Sequence, residues 1–342
     1  MFAELCITSN FTFLTGASHP EEFMQRAASL GITAIAIADQ DTVAGIVRAH
    51  AAARDITRQV TERQAHQAQH GLIGPPDPAR MPDDQGPRFT CPRLIPAATL
   101  HLAEGLVLTA LPENRTGWAH LCRLLTLGRR RAPKGGCDLR LSDLEGQTEG
   151  LHLLLHPPTS DGGAGDWLPQ ARALTRRYAR QMHLVMAPRY DGQDRARFDR
   201  LARLATDLGI PALASARPLM HEGRRRQMAD VLTAIRTGTT VDRLGRAALA
   251  NGEQRLRSEP EMRRLFGPHV AAVDRAGALA ERLTFSLDEL RYEYPSEVTG
   301  GETAAARLRR LALAGLDWRY PDGAPDRVRG MLEHELALIT KL

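Results

Sequence analysis

Lysine is nearly missing from this chain. Lys134 and Lys341 are the only ones, and arginine supplies the rest of the basic charge. A formal net charge of +5 is modest for 342 residues, and genome composition explains the arginine bias as readily as nucleic-acid binding does. No apolar run approaches the ~20 residues that span a bilayer, so no membrane segment is expected. Met1-Phe2-Ala3-Glu4 lacks a basic start, and no signal peptide is expected. Cys6, Cys91, Cys122 and Cys137 contain no CxxC pair, which points to free thiols in a reducing cytoplasm. Asp161-Gly162-Gly163-Ala164-Gly165 lacks the lysine and hydroxyl of a phosphate loop, and Glu333-His334-Glu335 lacks the HExxH order of a zinc protease. What is present, 43% hydrophobic and 25% charged, is ordinary for one large or two smaller globular domains.

The first forty-odd residues set the pattern: strand, loop, helix, strand, loop. Ala3 to Ser9 reads as a strand. Ser18-His19-Pro20-Glu21 predicts a capping box with Ser18 as N-cap. The helix then runs through Phe23, Ala27 and Leu30 to Gly31. Ile32 to Ile37 is nearly continuous apolar sequence, as in a strand covered on both faces. It ends in the polar Ala38-Asp39-Gln40-Asp41, at the end of a strand where α/β barrels place their sites.

Glu4-Leu5-Cys6-Ile7-Thr8-Ser9, Phe13-Leu14-Thr15-Gly16 and Ala38-Asp39-Gln40 resemble the opening of the PHP domain of bacterial C-family DNA polymerases. That family has Glu-Leu-His-x-His-Ser, Leu-Leu-Asp-Gly and Thr-Asp-His there. The resemblance implies a fold: an α/β, distorted TIM-like βα barrel over residues 1–221, then a mostly helical extension over 222–342 that begins the palm. It also implies where a metal site stands in relatives. Those positions are here Cys6, Thr8, Thr15, Gln40, Thr99, Gly105, Arg217 and Leu219, so the ligand chemistry is lost at nearly every one. An arginine at 217 puts positive charge where a cation would sit.

Farther along, Thr42 to Arg54 is helical in pattern. Ile56 to Pro92, rich in glutamine, glycine and proline, predicts a frayed helix end and an exposed inserted loop that is the least ordered internal stretch. Strands are expected from Arg93 to Leu100 and from Gly105 to Leu111, and a helix from Glu113 to Gly128. The run Leu121 to Gly135 resembles a signature of the error-prone branch of the family, as does Phe285 to Pro295. Arg129, Arg130, Arg131 and Lys134 form a basic loop past that helix: either a solvated cap or a contact for DNA phosphate. His152 and His156 lie an even number of residues apart on one strand, as core or rim histidines or as a relic metal pair.

Together these features imply the N-terminal portion of an error-prone, damage-tolerant DNA polymerase. No catalytic residue and no metal is expected in this chain, and no Asp-x-Asp motif occurs between Arg236 and Leu342. Mg²⁺ is expected only for the complete polymerase. The expected partners are DNA, bound weakly and non-specifically, the remainder of the polymerase, and replication or mutagenesis proteins, in the cytoplasm. Two alternatives are a PHP-type metal-dependent phosphoesterase or 3′–5′ exonuclease, and a non-catalytic DNA- or partner-binding module.

Overall fold

In a computed structural model, residues 1–69, 90–158, 167–291 and 301–341 are described. Seven strands form one sheet in chain order: β1 (Ala3–Ile7), β2 (Ala34–Gln40), β3 (Arg93–His101), β4 (Val107–Pro112), β5 (Leu151–His156), β6 (Met182–Met186) and β7 (Ala212–Ala214). The helices between them are α1 (Pro20–Ser29), α2 (Ile46–Gln69), α3 (Arg115–Arg131), α4 (Trp167–Tyr178) and α5 (Asp194–Leu208). After β7 come α6 (Arg226–Thr237), α7 (Glu259–Phe266) and α8 (Val270–Arg282), then α9 (Ala304–Arg319) and α10 (Asp326–Lys341).

β2 shows how the sequence builds the two faces. Its side chains alternate with a period of two. Ala34, Ala36 and Ala38 join the larger core with Leu5, Leu153, Leu184 and Leu213. Ile35 and Ile37 point the other way, into a second core with Phe23, Met24 and Ile56 of α1 and α2. Small residues on one face and branched ones on the other let a buried strand meet both layers.

The sheet is not parallel throughout. β4 runs antiparallel to both β3 and β5, while the other pairs are parallel. The reason is the length of the β3–β4 connection. A parallel crossover needs a dozen or more residues, and only Leu102 to Leu106 are available. They make a tight turn closed by Leu102 N–H to the Leu106 carbonyl at 2.9 Å, with Gly105 at φ +83. Gly105 therefore sits in a hairpin, not at the head of a strand.

Among the described residues, β1 and β7 share no strand ladder. The two edges are joined by other means. Thr8 N–H donates to the Pro218 carbonyl at 3.1 Å and Ala17 N–H to the Leu219 carbonyl at 2.7 Å. α8 packs against both β1 and β7, and Arg275 donates to the Ala212 carbonyl at 3.0 Å. At Gly277 the helix comes so close to the first residue that an added Cβ would lie 2.0 Å from the Met1 carbonyl oxygen. The chain divides into compact units Met1–Glu289 and Leu290–Leu342, so α6 to α8 belong with the sheet. The second unit holds α9 and α10, linked by Arg309 and Glu333 at 2.7 Å.

Three local expectations shift. The N-cap of α1 is His19, whose N–H donates to Glu22 at 2.8 Å, while Ser18 bonds His221 instead. α2 stays helical to Gln69, well into the expected frayed segment, and the stretch from 70 to 89 lies outside the described residues. So do Asp161 to Gly165 and Tyr292 to Pro295. α3 runs three residues past Gly128, because Pro133 forces its predecessor Ala132, at φ −92 and ψ 157, to be the first extended residue.

Candidate functional site

The expected metal positions gather around the mouth of the sheet, but they are tied into protein contacts. Cys6, next to last in β1, is a buried thiol, and burial beside Glu4 pushes it up to about 12. A metal-ligating sulfur must be a thiolate, and this one is held protonated. Thr8 uses its N–H on Pro218. Thr15 is turned toward α6, where Arg236 donates to its hydroxyl at 3.0 Å. Gln40 has an exposed side chain, and its N–H donates to the Thr12 hydroxyl at 3.0 Å. Leu219 is apolar and follows Ala216, Arg217 and Pro218 in the loop after β7.

Thr99, Thr109 and His156 form a directed chain of hydrogen bonds across β3, β4 and β5. The Thr99 hydroxyl is 2.9 Å from the Ala38 carbonyl, which can only accept. Thr99 has spent its proton there, so it accepts from Thr109 at 2.9 Å. Thr109 in turn accepts from His156 Nε2–H at 2.8 Å. The ring is thereby fixed as the Nε2–H tautomer, and buried Nδ1 is a lone pair without a protein partner. Burial, then Arg217 and His101, keep His156 well below its ordinary pKa, so it is neutral.

Glu4 completes the floor. Its fully buried carboxylate accepts from the Ser215 hydroxyl, from Ala216 N–H at 2.8 Å and from Cys6 N–H at 3.1 Å. Burial raises it to about 7 despite those donors. Asp39 is a second buried carboxylate, and it anchors the loop after β1 through Ser9 N–H at 2.8 Å, the Ser9 hydroxyl at 2.6 Å and the Thr12 hydroxyl at 2.8 Å. Asp41, Tyr190 and Arg217 adopt φ of 49, 57 and 45, conformations that cost about 1–3 kcal/mol each and concentrate at sites. Among the described residues, no three of His, Cys, Asp and Glu come together in a metal-holding group. Threonine, glycine, leucine and a protonated thiol do not fit the PHP metals, and Arg217 opposes them.

No family model matches the chain. The error-prone DNA polymerase of Ruegeria pomeroyi is 46% identical over 349 residues, which cover 100% of this chain and 31% of that protein. That of Sinorhizobium medicae is 38% identical over 339 residues, covering 99% of this chain and 27% of its own length. This chain is a relative of the error-prone DNA polymerases. It spans less than a third of the length of these curated relatives. In structure, an amidohydrolase from Chromobacterium violaceum aligns with TM-score 0.38 and 13% identity over 63% of this chain and 87% of its own.

The second stretch that resembles error-prone polymerases meets the helix that carries the first. Phe285 stacks on Trp118 of α3 with ring centroids 5.4 Å apart. The basic cluster at the end of α3 is not uniform. Arg129 donates through Nε at 3.1 Å and Nη2 at 2.7 Å to the Asp41 carbonyl, so it buttresses the mouth. Arg131 clasps Asp143 at 2.6 and 2.8 Å. Arg130 and Lys134 are exposed, with no hydrogen-bonded or ion-paired partner among the described residues.

His152 is not a partner of His156. Its Nε2 lies 2.7 Å from Nδ1 of His183, and its Nδ1 lies 3.7 Å from Glu113. Burial, then His183 and Arg282, bring His152 down to about 3, and burial with Arg275 and Arg282 brings His183 down to about 4. Sequence reasoning passed over His183, Thr109 and Ser215. Thr109 carried a signal, a lone hydroxyl in the apolar run of β4; His183 and Ser215 need the strand pairing to be seen.

Proposed function

We propose that this chain is the N-terminal portion of an error-prone DNA polymerase acting in damage-tolerant synthesis, and that its PHP unit is a scaffold without phosphoesterase activity. The carrying observation is the pairing of likeness to error-prone polymerases along the whole of this chain with a sheet mouth whose ligand positions are occupied by non-ligands. Metal-dependent hydrolysis needs cations that activate water and clamp phosphate oxygens. Here Cys6, Thr8, Thr15, Gln40, Thr99, Gly105, Arg217 and Leu219 supply no such set. Within this reading, nucleotidyl transfer and its Mg²⁺ belong to palm aspartates of the complete polymerase, which works in the cytoplasm with DNA and with replication or mutagenesis proteins. The test is elemental analysis of the purified chain together with a 3′-labelled DNA assay in added Mg²⁺, Mn²⁺ or Zn²⁺. The expected result is no stoichiometric metal, no nucleotide release and no primer extension. Metal near one per chain, with nuclease activity lost on changing Cys6 or His156, overturns the scaffold reading.

A further inference from the structure

A cavity of about 320 Å³ opens between His156, Arg217 and the loop that carries Arg189. Arg189, Arg197, Arg200 and Arg217 line it, with Gln254, and none of its lining residues is a carboxylate among the described residues. Arg197 is neutralised by Asp191 and Asp194. The guanidinium groups of Arg200 and Arg217 have no hydrogen-bond or ion-pair partner among the described residues. Glu4 acts on Arg217 through space, while its own oxygens are taken by Ser215, Ala216 and Cys6. Arg217 is nonetheless held firmly. Its N–H donates to the Ser215 hydroxyl at 2.9 Å and its carbonyl accepts from Gln254 at 3.0 Å, at a left-handed φ of 45. A strained backbone that aims an unpaired, half-buried cation at a carboxylate-free cavity is the layout of an anion site.

His156 narrows the anion. It lines the same cavity and is 5% exposed. Its Nε2 proton is committed to Thr109, which leaves Nδ1 as an acceptor in need of a donor. A ligand that satisfies both the arginines and Nδ1 carries anionic oxygens and also a hydroxyl. Sulfate and the phosphodiester of a DNA backbone have no such proton; phosphate keeps one at neutral pH, and a phosphate monoester carries one as its monoanion, below a second pKa of about 6. We propose that this cavity binds a terminal phosphoryl group directly on Arg217 and Arg200, with no metal ion between. The inference rests on the metal-free reading of the PHP unit and adds a ligand to it. It is a binding site, with no bond made or broken.

The test is calorimetric titration of the whole chain in EDTA with sodium phosphate, with deoxyadenosine monophosphate and with sodium sulfate. Saturable binding of phosphate or the nucleotide is expected, with sulfate weaker by about tenfold, since one charge-assisted hydrogen bond is worth about that much. Tighter binding of the nucleotide than of phosphate identifies a nucleotide as the source; equal binding identifies the free ion. Arg217→Gln and, as an exposed position that folding tolerates, Arg200→Gln each weaken binding by about tenfold. Absence of binding with the chain metal-free, sulfate bound as tightly as phosphate, or affinity unchanged in both variants overturns the phosphoryl site and leaves the scaffold reading standing. Binding that appears only when Mn²⁺ or Zn²⁺ replaces EDTA overturns both.

Discussion

Glu4, in the first strand, accepts a hydrogen bond from the hydroxyl of Ser215, just past the last strand, 211 residues along the chain. The same carboxylate takes Ala216 N–H at 2.8 Å. Where a closed barrel would continue its ladder from β7 to β1, this sheet adds a buried side chain to the backbone bonds of Thr8 and Ala17.

Removing that side chain leaves a hydroxyl and two backbone N–H groups buried without acceptors. Glu4→Ala is expected to cost about 2–4 kcal/mol of stability in chemical denaturation, since each unsatisfied buried group costs about 1–3 kcal/mol and part of the loss relaxes. Glu4→Gln separates charge from shape. The folded pKa of Glu4, about 7, is raised above its ordinary 4.5. Its favourable contribution is therefore complete below 4.5 and lost as pH rises to 7. The stability difference between the Gln variant and the native chain should move toward the variant across that window, by about 3 kcal/mol at most. A difference that does not change with pH removes the buried charge from this account.

The buried histidines work in the opposite sense. His152, His156 and His183 have folded pKa values depressed by burial. Their stability contribution is complete above the ordinary 6.5 and is lost as pH falls. At pH 5 His152 and His183 each cost about 2 kcal/mol and His156 acts in the same direction, so the chain is expected to denature at markedly lower urea at pH 5 than at pH 7.5. His152→Phe, which has no proton to gain, flattens part of that slope. A midpoint that stays constant from pH 7.5 to 5 contradicts the neutral, buried assignment.

Local periodicity made much of the fold legible. Ile32 to Ile37 announced a doubly covered strand because burial on both faces leaves a nearly unbroken apolar run. Direction was harder. The turn at Gly105 was short enough to force a hairpin, a direction that strand periodicity alone does not carry. At the end of α3, Gly128 looked like a stop, yet it is an interior residue where the loop packs closely: a Cβ there would lie 2.6 Å from the Cys137 sulfur. The degenerate positions could be named from resemblance alone. What surrounds them could not, because the partners of Glu4, Thr99 and Arg129 are Ser215, Ala38 and Asp41, distant in sequence and brought together only by the fold.

Gly277 and Gly315 offer a paired test of edge closure. Both are helical, in α8 and α9. Alanine at 277 would drive Cβ into the Met1 carbonyl at 2.0 Å, whereas nothing lies within 4 Å of a Cβ at 315. Gly277→Ala is expected to destabilise by about 1–3 kcal/mol as α8 is pushed off the first strand. Gly315→Ala should be neutral or stabilising by up to about 1 kcal/mol, from helix propensity. Equal effects at the two positions, read by thermal melting, would mean that α8 does not hold the sheet edges.

DNA binding separates the four basic residues at the end of α3. Arg129 is engaged by the Asp41 carbonyl and Arg131 by Asp143, so neither is free to meet a phosphate without giving up a protein contact. Arg130 and Lys134 are exposed and available. Binding through such contacts is weak and sequence-independent, and each phosphate neutralised on a duplex steepens the salt dependence by about one unit on a log–log plot. Arg130→Glu with Lys134→Glu should therefore weaken binding to any DNA sequence and lower the slope by about two. Arg129→Ala should leave the slope unchanged and instead loosen the loop at Asp41, costing about 1 kcal/mol of stability. Fluorescence anisotropy across a salt series reads the first effect and urea denaturation the second. If the double reversal leaves both affinity and slope intact, DNA contacts this unit elsewhere, and the cluster is a helix cap.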